Sequence, residues 1–367
     1  MAVIAAMQVR DLARAMEAIA PTALAEPWDN VGLLVGDEEA SVTRVMLVID
    51  CTRAVVAEAR NERCEAIVSY HPVIFEGRKR FVAGSPAFDA ARAGIAVYCP
   101  HTALDAADGG TNDVLADAVG MSQRGPLRAA QPRDAEYKLI TFVPEGHVQA
   151  VSRALFAAGA GRIGDYSSCS FRVAGTGTFF GEAGTSPVVG QAGRLEEASE
   201  LRLETVVPIG RAAEVVRALR AAHPYEEPAF DLVKLAAVAA RGIGRVGPVA
   251  PQKPGAVIER VKGALGVERV LAAGRLDRDV ACVAVCAGAG GALLDAAIGA
   301  RADLYLTGEL RHHDVLRATD AGLTVVCALH SASERAALGP LADMLTRRLP
   351  GIAFVRTAAD REPIVFA

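Results

Sequence analysis

Apolar runs alternate with amphipathic stretches in the first third of the chain. Residues 9–20 repeat apolar side chains at helical spacing, and β-branched runs occur after them at residues 44–50 (RVMLVID), 65–70 (EAIVSY) and 95–99 (IAVYC). A helix-like segment near residues 85–94 precedes the last run. Continuous apolar runs separated by helices are typical of βαβ units, whose parallel sheet is covered on both faces. The pattern therefore predicts a parallel sheet in this third.

The same alternation returns in the last third. Strands are predicted at residues 280–286, 303–306 and 323–329, and helices near residues 291–299, 310–319 and 333–347. We therefore predict an α/β core that is rich in parallel strands and built from both ends of the chain.

The middle of the chain has a different order. Strands are predicted at residues 137–143, 171–180, 201–207 and 229–235, and helices at residues 147–158 and 211–222. The order βαββαβ is that of a ferredoxin-like domain. A polar stretch at 122–136 and a glycine-rich stretch at 241–248 flank it. We therefore predict an inserted ferredoxin-like α+β domain at 133–237, between core parts at 1–132 and 238–367.

Composition is that of a packed protein. Hydrophobic residues make up 51% and charged residues 22% of the 367 residues, which argues against disorder and favours more than one domain. The net charge is −4, and acidic and basic residues are well mixed. Without a basic stripe, neither nucleic acid nor an anionic membrane is expected as a partner.

Location is inferred from the apolar segments and the cysteines. The first residues have no basic region before their apolar run, so no signal peptide is predicted. The longest nearly apolar stretch, 280–294, is too short for a membrane span and contains three glycines. The seven cysteines form no CxxC pair and mostly lie in apolar runs, which indicates free thiols in a reducing compartment. A cytoplasmic protein without a thiolate metal site is expected.

Histidine and acidic side chains gather just after the predicted strands. These segments contain His71, then His101 with Asp105, then Glu309 with His312 and His313, and finally His330 with Glu334. Five of the seven histidines lie there. Functional groups of open parallel sheets collect beyond the carboxyl ends of the strands, so the pattern predicts a site at that edge.

The last of these segments has the clearest geometry. Glu334 lies four residues after His330, and Ser331 or Ser333 can cap the helix between them, so both side chains can reach one point. Imidazole with carboxylate suits Zn, Mn, Fe or Co better than Ca or Mg. Asp105 could bridge two ions, which at ~3.5–4 Å apart would activate water and polarise a substrate oxygen.

Each residue also has a simpler interpretation. A single histidine at a strand end is more often a hydrogen-bonded structural residue than a metal ligand. Glu334 could serve only as a carboxylate at a helix N-terminus, and Asp105 could be a turn residue. Only the joint pattern favours a metal site.

Two further features are open to more than one interpretation. The glycine-rich run at 287–291 could cradle a phosphate, but it does not complete the dinucleotide-binding pattern, so a tight turn is preferred. In the middle domain, His223, Glu226 and Glu227 could form a metal or partner site, but such a group is more typical of a solvated loop.

Five short motifs succeed one another along the chain. They are WDNVGLLVG from Trp28 to Gly36, Tyr70 with His71 and Pro72 through Phe75, His101 with Thr102 through Asp105, Thr307 with Gly308, Glu309 and His313, and His330 with Ser333 and Glu334. In this order they resemble the motifs of the NIF-three-like family, also called the GTP cyclohydrolase 1 type 2 homologs. The middle domain, with HPYEEP at 223–228, resembles the PII/CutA-like domain of the longer bacterial members.

The resemblance implies a dinuclear site with two divalent ions per chain, and the donor types favour Zn, Mn, Fe or Co for them. The corresponding ligand positions are His71, Asp105, His330 and Glu334, with Tyr70 where the family has the first histidine of its HHP motif. A phenol is a poorer ligand than an imidazole at neutral pH, because its unperturbed pKa is about 10. The substitution predicts that one of the two metal positions is weakened, filled by water or empty.

The resemblance further implies a homohexamer and hydrolysis of a small, nucleotide-like substrate. Glu334, Glu309 and His313 are the candidate catalytic residues; for the last two, hydrogen bonding to the ligands is preferred over a role as general base. The competing hypothesis is a non-catalytic metal-binding protein that regulates or binds partners. A nucleotide-cofactor Rossmann enzyme is disfavoured by the incomplete glycine pattern.

Overall fold

The structure is a computed structural model that describes residues 7–77, 79–129, 136–164, 166–235 and 242–365. Its contacts divide the chain into two compact units. Met1–Ala130 and Ala239–Ala367 together form one, here called the core unit, and Gln131–Val238 forms the other, the inserted unit. The predicted domain limits, at 132/133 and 237/238, lie outside the described residues.

The first segment of the core unit alternates strands and helices. Its strands are β1 (Gly32–Val35), β2 (Arg44–Val48), β3 (Ala66–Ser69), β4 (Ala96–Cys99) and β5 (Gly125–Ala129), and its helices are α1 (Val9–Ile19), α2 (Arg53–Asn61), α3 (Pro86–Ala93), α4 (His101–Ala106) and α5 (Thr111–Ala118). Every residue of β3 and β4 is buried. Strands that are buried on both faces explain why these runs are apolar throughout.

The inserted unit has the predicted order of elements. Its strands are β6 (Glu136–Pro144), β7 (Phe171–Phe180), β8 (Leu195–Pro208) and β9 (Phe230–Lys234), and its helices are α6 (Val148–Ala157) and α7 (Ala212–Ala222). The sheet order is β7-β8-β6-β9, and all neighbouring strands are antiparallel. This is ferredoxin-like topology. A closer likeness to PII or CutA stays a prediction.

The last segment of the core unit returns to the α/β pattern. Its strands are β10 (Gly242–Gln252), β11 (Leu271–Ala273), β12 (Val280–Ala289), β13 (Leu304–Glu309), β14 (Thr324–Cys327) and β15 (Ala353–Arg356), and its helices are α8 (Pro254–Leu265), α9 (Leu294–Gly299), α10 (His312–Asp320), α11 (His330–Arg335) and α12 (Leu338–Arg348). The single helix predicted near 333–347 is thus two helices, α11 and α12.

The glycine-rich stretch that is predicted only to flank the inserted domain forms strand β10, which pairs antiparallel with both β5 and β12. Gly244 has a φ of +68°, and a Cβ there would lie 2.9 Å from Cβ of Leu127 and 2.9 Å from the carbonyl oxygen of Val285. Glycine is therefore needed for the three strands to approach this closely.

Two mixed sheets form the core unit. The first has the order β1-β4-β3-β2-β15, parallel except for β1, and the second has the order β11-β14-β13-β12-β10-β5, with β12, β13 and β14 parallel. Strand β15 joins the last segment to the sheet of the first segment through β2. These parallel centres, covered by helices, confirm the α/β fold class.

The state of the cysteines and the length of the helices bear on two further predictions. All seven cysteines are free, and five of them are buried. None of the helices in the described ranges is long and apolar enough to cross a lipid bilayer.

Candidate metal centre

Strand ends from both sheets of the core unit meet at one place. Tyr70 and His71 come directly after strand β3, and His330 is the first residue of α11, shortly after β14. The ring centroids of His71 and His330 lie 5.4 Å apart. Helix α4, which comes after β4, carries Asp105. The site therefore forms where carboxyl ends of parallel strands meet, as sheet topology favours.

Three side chains converge closely enough to hold one cation. The ligand atoms of His71, His330 and Glu334 all lie within 4.8 Å of one another. These three residues are called the metal group, or the three-residue group, below. Nε2 of His330 is 3.2 Å from Oε1 of Glu334, and Nε2 of His71 is 3.3 Å from Oε2. Glu334 is only 3% exposed, and its Oε2 has no partner in hydrogen-bond geometry. A buried carboxylate oxygen without a well-formed hydrogen bond is costly, and a cation bound between the three side chains would satisfy it.

Two carboxylates orient the imidazole rings through contacts with their Nδ1 atoms. Nδ1 of His71 lies 2.9 Å from Oδ1 of Asp50, and Nδ1 of His330 lies 3.1 Å from Oε1 of Glu309. Each ring therefore presents Nε2 to Glu334. Carboxylates in this position fix the tautomer and the orientation of metal-binding histidines. Asp50 is not among the residues singled out from the sequence, although it lies at the end of a predicted buried strand.

The side chains of His71, His330 and Glu334 shift one another's pKa values. Burial would lower the pKa of His71, but Asp50 and Glu334 raise it to about 10. Contact with Glu334 raises the pKa of His330 to about 9 against the effect of burial. Burial would raise the pKa of Glu334, but the two histidines hold it below its ordinary value. Two protonated rings thus surround an ionised carboxylate, and a divalent cation would replace their protons.

Tyr70 and Asp105 form a separate pair beside this group. The hydroxyl of Tyr70, which is 1% exposed, donates a hydrogen bond to Oδ1 of Asp105. Burial raises the pKa of Asp105 to about 6, although this hydrogen bond opposes the rise. The main-chain oxygen of Asp105 accepts a hydrogen bond from Nδ2 of Asn112. Asp105 lies beside the metal group but is not one of its three members.

His101 closes the side of the site formed by the first segment. Its ring centroid lies 5.5 Å from that of His71 and 5.8 Å from that of Tyr70. Nδ1 of His101 lies 2.8 Å from Oδ1 of Asp29, whose Oδ2 accepts a hydrogen bond from the backbone of Thr102. Asp29 lies in the first sequence motif, so the contact brings that motif next to the one at His101.

The glycine-rich end of β12 packs directly on His330 and Glu334. Gly288 has a φ of +63°, and a Cβ there would lie 2.6 Å from Oε1 of Glu334 and 3.2 Å from Nε2 of His330. Its N–H donates to Oγ of Ser333, whose hydroxyl donates to the main-chain oxygen of His330. The run is therefore more than a surface turn, because its lack of a side chain leaves room for two of the candidate ligands.

The two remaining catalytic candidates lie in different surroundings. Glu309 ends β13 and contacts His330, with about half of its side chain exposed (52%). His313 is exposed on α10 with its ring beside that of His312, at 5.4 Å between centroids, and contributes no atom to the three-residue group. The geometry thus brings Glu309 to the site and leaves His313 outside the metal group.

Two imidazoles and one carboxylate fit a divalent transition metal. This donor set is typical of Zn sites and of non-haem Fe sites, and it leaves coordination positions for water or substrate. The unpartnered Oε2 of Glu334 supports the same conclusion. His71, His330 and Glu334 would therefore hold the ion.

Comparison with known proteins shows the family of the chain. Residues 7–363 match the model of a family described as Duf34/NIF3 (NGG1p interacting factor 3). The chain belongs to this family. Among NIF3-family relatives, a GTP cyclohydrolase 1 type 2 homolog of Mycobacterium tuberculosis is 37% identical over 350 residues, covering 92% of this chain and 91% of the relative. The Bacillus subtilis protein of the same name is 36% identical over 361 residues, covering 95% and 96%.

Solved structures share the fold of this chain. The Bacillus cereus protein related to NIF3 aligns with a TM-score of 0.67 and 31% identity, covering 98% of this chain and 99% of that one. Staphylococcus aureus protein SA1388 aligns with a TM-score of 0.77 and 25% identity over the full length of both chains. Both alignments include the inserted unit as well as the core unit.

Proposed function

We propose that this protein is a divalent-metal-dependent hydrolase that acts on a small, nucleotide-like molecule. The observation that carries the proposal is the convergence of His71, His330 and Glu334 within 4.8 Å at the strand ends. The name of the relatives, GTP cyclohydrolase 1 type 2 homolog, supports GTP or a related nucleotide as the first substrate to test.

A divalent ion bound there would lower the pKa of a coordinated water and polarise a substrate oxygen. Asp50 and Glu309 hold the two imidazole rings so that each Nε2 points to Glu334. Glu309 is half exposed, so solvent reaches its carboxylate, and it is the residue proposed to move a proton during the reaction. Glu334 is the ionised carboxylate shared by both rings. A role for His313 stays a sequence prediction.

We also propose a dinuclear form of the site, on the condition that a second ion can bind Asp105. A second ion needs a further carboxylate, and Asp105 is the candidate. In the structure the Tyr70 hydroxyl donates to an oxygen of that carboxylate. A second ion would have to displace this hydrogen bond. We therefore propose a first ion at the three-residue group and a second, weaker position at Asp105.

The test combines metal analysis with turnover. Wild type, Glu334→Gln and a matched histidine control, His147→Ala, are purified, loaded with Zn²⁺ or Mn²⁺ and assayed against a nucleotide panel that includes GTP. His147 is exposed in the inserted unit and takes no part in the site. We expect bound metal and turnover in wild type and in the control, and loss of both in Glu334→Gln. Hydrolysis by Glu334→Gln at the rate of wild type would contradict the proposed hydrolase activity.

The alternative is a metal-binding protein without turnover, which regulates or binds partners. The compact inserted unit, which contributes no residue to the three-residue group, is the observation that favours it. Tight metal binding by wild type, without product from any substrate on the panel, would support this alternative over the hydrolase.

The quaternary structure belongs to the same proposal. On the basis of the family resemblance, we propose a homohexamer. Light scattering coupled to size-exclusion chromatography tests this: a mass of six chains supports it, and a stable monomer or dimer contradicts it.

A further inference from the structure

The inserted unit has a cavity formed entirely by its own residues. Its volume is about 320 Å³, which lies within the range of small-molecule sites. The apolar part of its wall includes Phe142 of β6, Phe179 of β7, Pro187 and Val188 of the segment after β7, and Ala229 before β9. Its described lining contains no lysine or arginine. The wall of the cavity is thus mainly apolar, and its charged side chains are all acidic.

Glu200 supplies a buried charge to this wall. It lies on β8, is only 9% exposed, and pairs with no cationic side chain in the parts of the chain that the structure describes. Its carboxylate covers the backbone of β7, where a Cβ on Gly177 would come within 2.3 Å of Oε2. Burying a carboxylate without a cation is costly, and the polar neighbour of Glu200 in this wall, the hydroxyl of Tyr225, is neutral.

Tyr225 places a second polar atom in the same wall. Its hydroxyl oxygen is buried and lies next to the Glu200 carboxylate, without meeting the geometry of a full hydrogen bond to it. Burial and the nearby Glu200 carboxylate raise the pKa of Tyr225, so the phenol keeps its proton. Buried polar atoms are normally satisfied, and one that lines a cavity is a natural contact for a ligand.

The HPYEEP run, which the sequence pattern predicts to be a solvated loop, is a structured wall of this cavity. His223 is buried, with Nε2 2.9 Å from the main-chain oxygen of Phe142 and Nδ1 accepting from the backbone N–H of Tyr225. With both nitrogens occupied, His223 positions the run and is not free to bind a metal. Oε2 of Glu226 accepts from the backbone N–H of Ser186 and so ties the segment after β7 to the run.

We propose that this cavity binds a small organic cation, a primary ammonium group on an apolar body. The ammonium would pair with Glu200 and donate a second hydrogen bond to the Tyr225 hydroxyl oxygen, while the body would lie against Phe142 and Val188. A neutral analogue would leave the carboxylate unpaired, and an anion would be repelled by it. A bare metal ion would make no use of the apolar wall.

The proposal is tested with the full chain by calorimetry. The probe is 2-phenylethylammonium, and its matched analogues are neutral 2-phenylethanol and anionic 3-phenylpropionate. We expect wild type to bind the amine at least tenfold more tightly than either analogue. Glu200→Gln keeps the shape but removes the charge, and should abolish that preference. Glu197→Gln, on the exposed side of the same strand, should leave it unchanged.

Several results would overturn the proposal. These are equal binding of amine and alcohol by wild type, full amine affinity in Glu200→Gln, or no binding of any amine from ethylammonium to 3-phenylpropylammonium. Thermal unfolding checks that Glu200→Gln is folded. If it is not, Tyr225→Phe serves instead, because it removes only the hydroxyl; a several-fold weaker amine affinity with unchanged alcohol affinity is expected, and an unchanged amine affinity counts against the proposal.

Discussion

Replacing Tyr70 by histidine should change the number of metal ions that the protein holds. In the structure the Tyr70 hydroxyl donates to Asp105 and so occupies the carboxylate that a second ion would need. Tyr70→His removes this hydroxyl and puts an imidazole beside His71. Wild type is expected to hold one divalent ion per chain tightly, and Tyr70→His two.

The hydrogen bond from Tyr70 to Asp105 sets how much weaker the second ion should bind in wild type. A hydrogen bond to a charged group contributes about 1.5–3 kcal/mol, more when buried groups are left unpaired. Since about 1.4 kcal/mol corresponds to a factor of ten, the bond should weaken a second ion in wild type by roughly ten- to a hundredfold. Tyr70→Phe removes the bond without adding a ligand, so its affinity for the second ion should lie between those of wild type and Tyr70→His.

Metal content by elemental analysis after dialysis, and then Zn²⁺ titration, measure both quantities. Two tightly held ions in wild type would show that Tyr70 does not block the second position. A single ion in Tyr70→His, with the protein folded and the first ion retained, would show that Asp105 is not the missing ligand. Either result would refute the reasoning.

Three other predictions concern the same site. Because the pKa values of His71 and His330 are raised to about 10 and about 9, Zn²⁺ must displace up to two protons, and its apparent affinity should rise by up to roughly 100-fold per pH unit between about pH 7 and 9. Calorimetry in buffers of different ionisation enthalpy measures this release, and a pH-independent affinity would contradict it. The raised values also stabilise the metal-free fold fully below the ordinary histidine pKa of 6.5, and this stability is lost as pH rises through 9 to 10. The Tm of metal-free wild type should therefore fall over that range, and less so in His330→Gln. Gly288→Ala, with its positive φ and its contact with Glu334, should cost about 1–3 kcal/mol and lower metal content, whereas Gly255→Ala, which meets nothing within 4 Å, should do neither.

The α/β class and the three members of the metal group could be predicted because they depend on local pattern. Runs such as 65–70 are apolar throughout because both faces of the strand are covered, and parallel strands bring the residues after them to one edge. His71 and His330 are found in this way, and Glu334 by its helical spacing from His330. The glycine-rich segment that forms β10 could not be recognised as a strand, because its pairing with β5 is set by distant parts of the chain.

The order of elements and the type of donor at each strand end can be read from the amino-acid sequence, since both depend on the periodicity of neighbouring residues. The partners of those donors come from the tertiary fold: Asp50 behind His71, the hydrogen bond of Tyr70 to Asp105, and Gly288 against Glu334. These contacts join segments far apart in the chain. They depend on which strands lie side by side and on the space left between two sheets, and neither is encoded in a local pattern of apolar and polar residues.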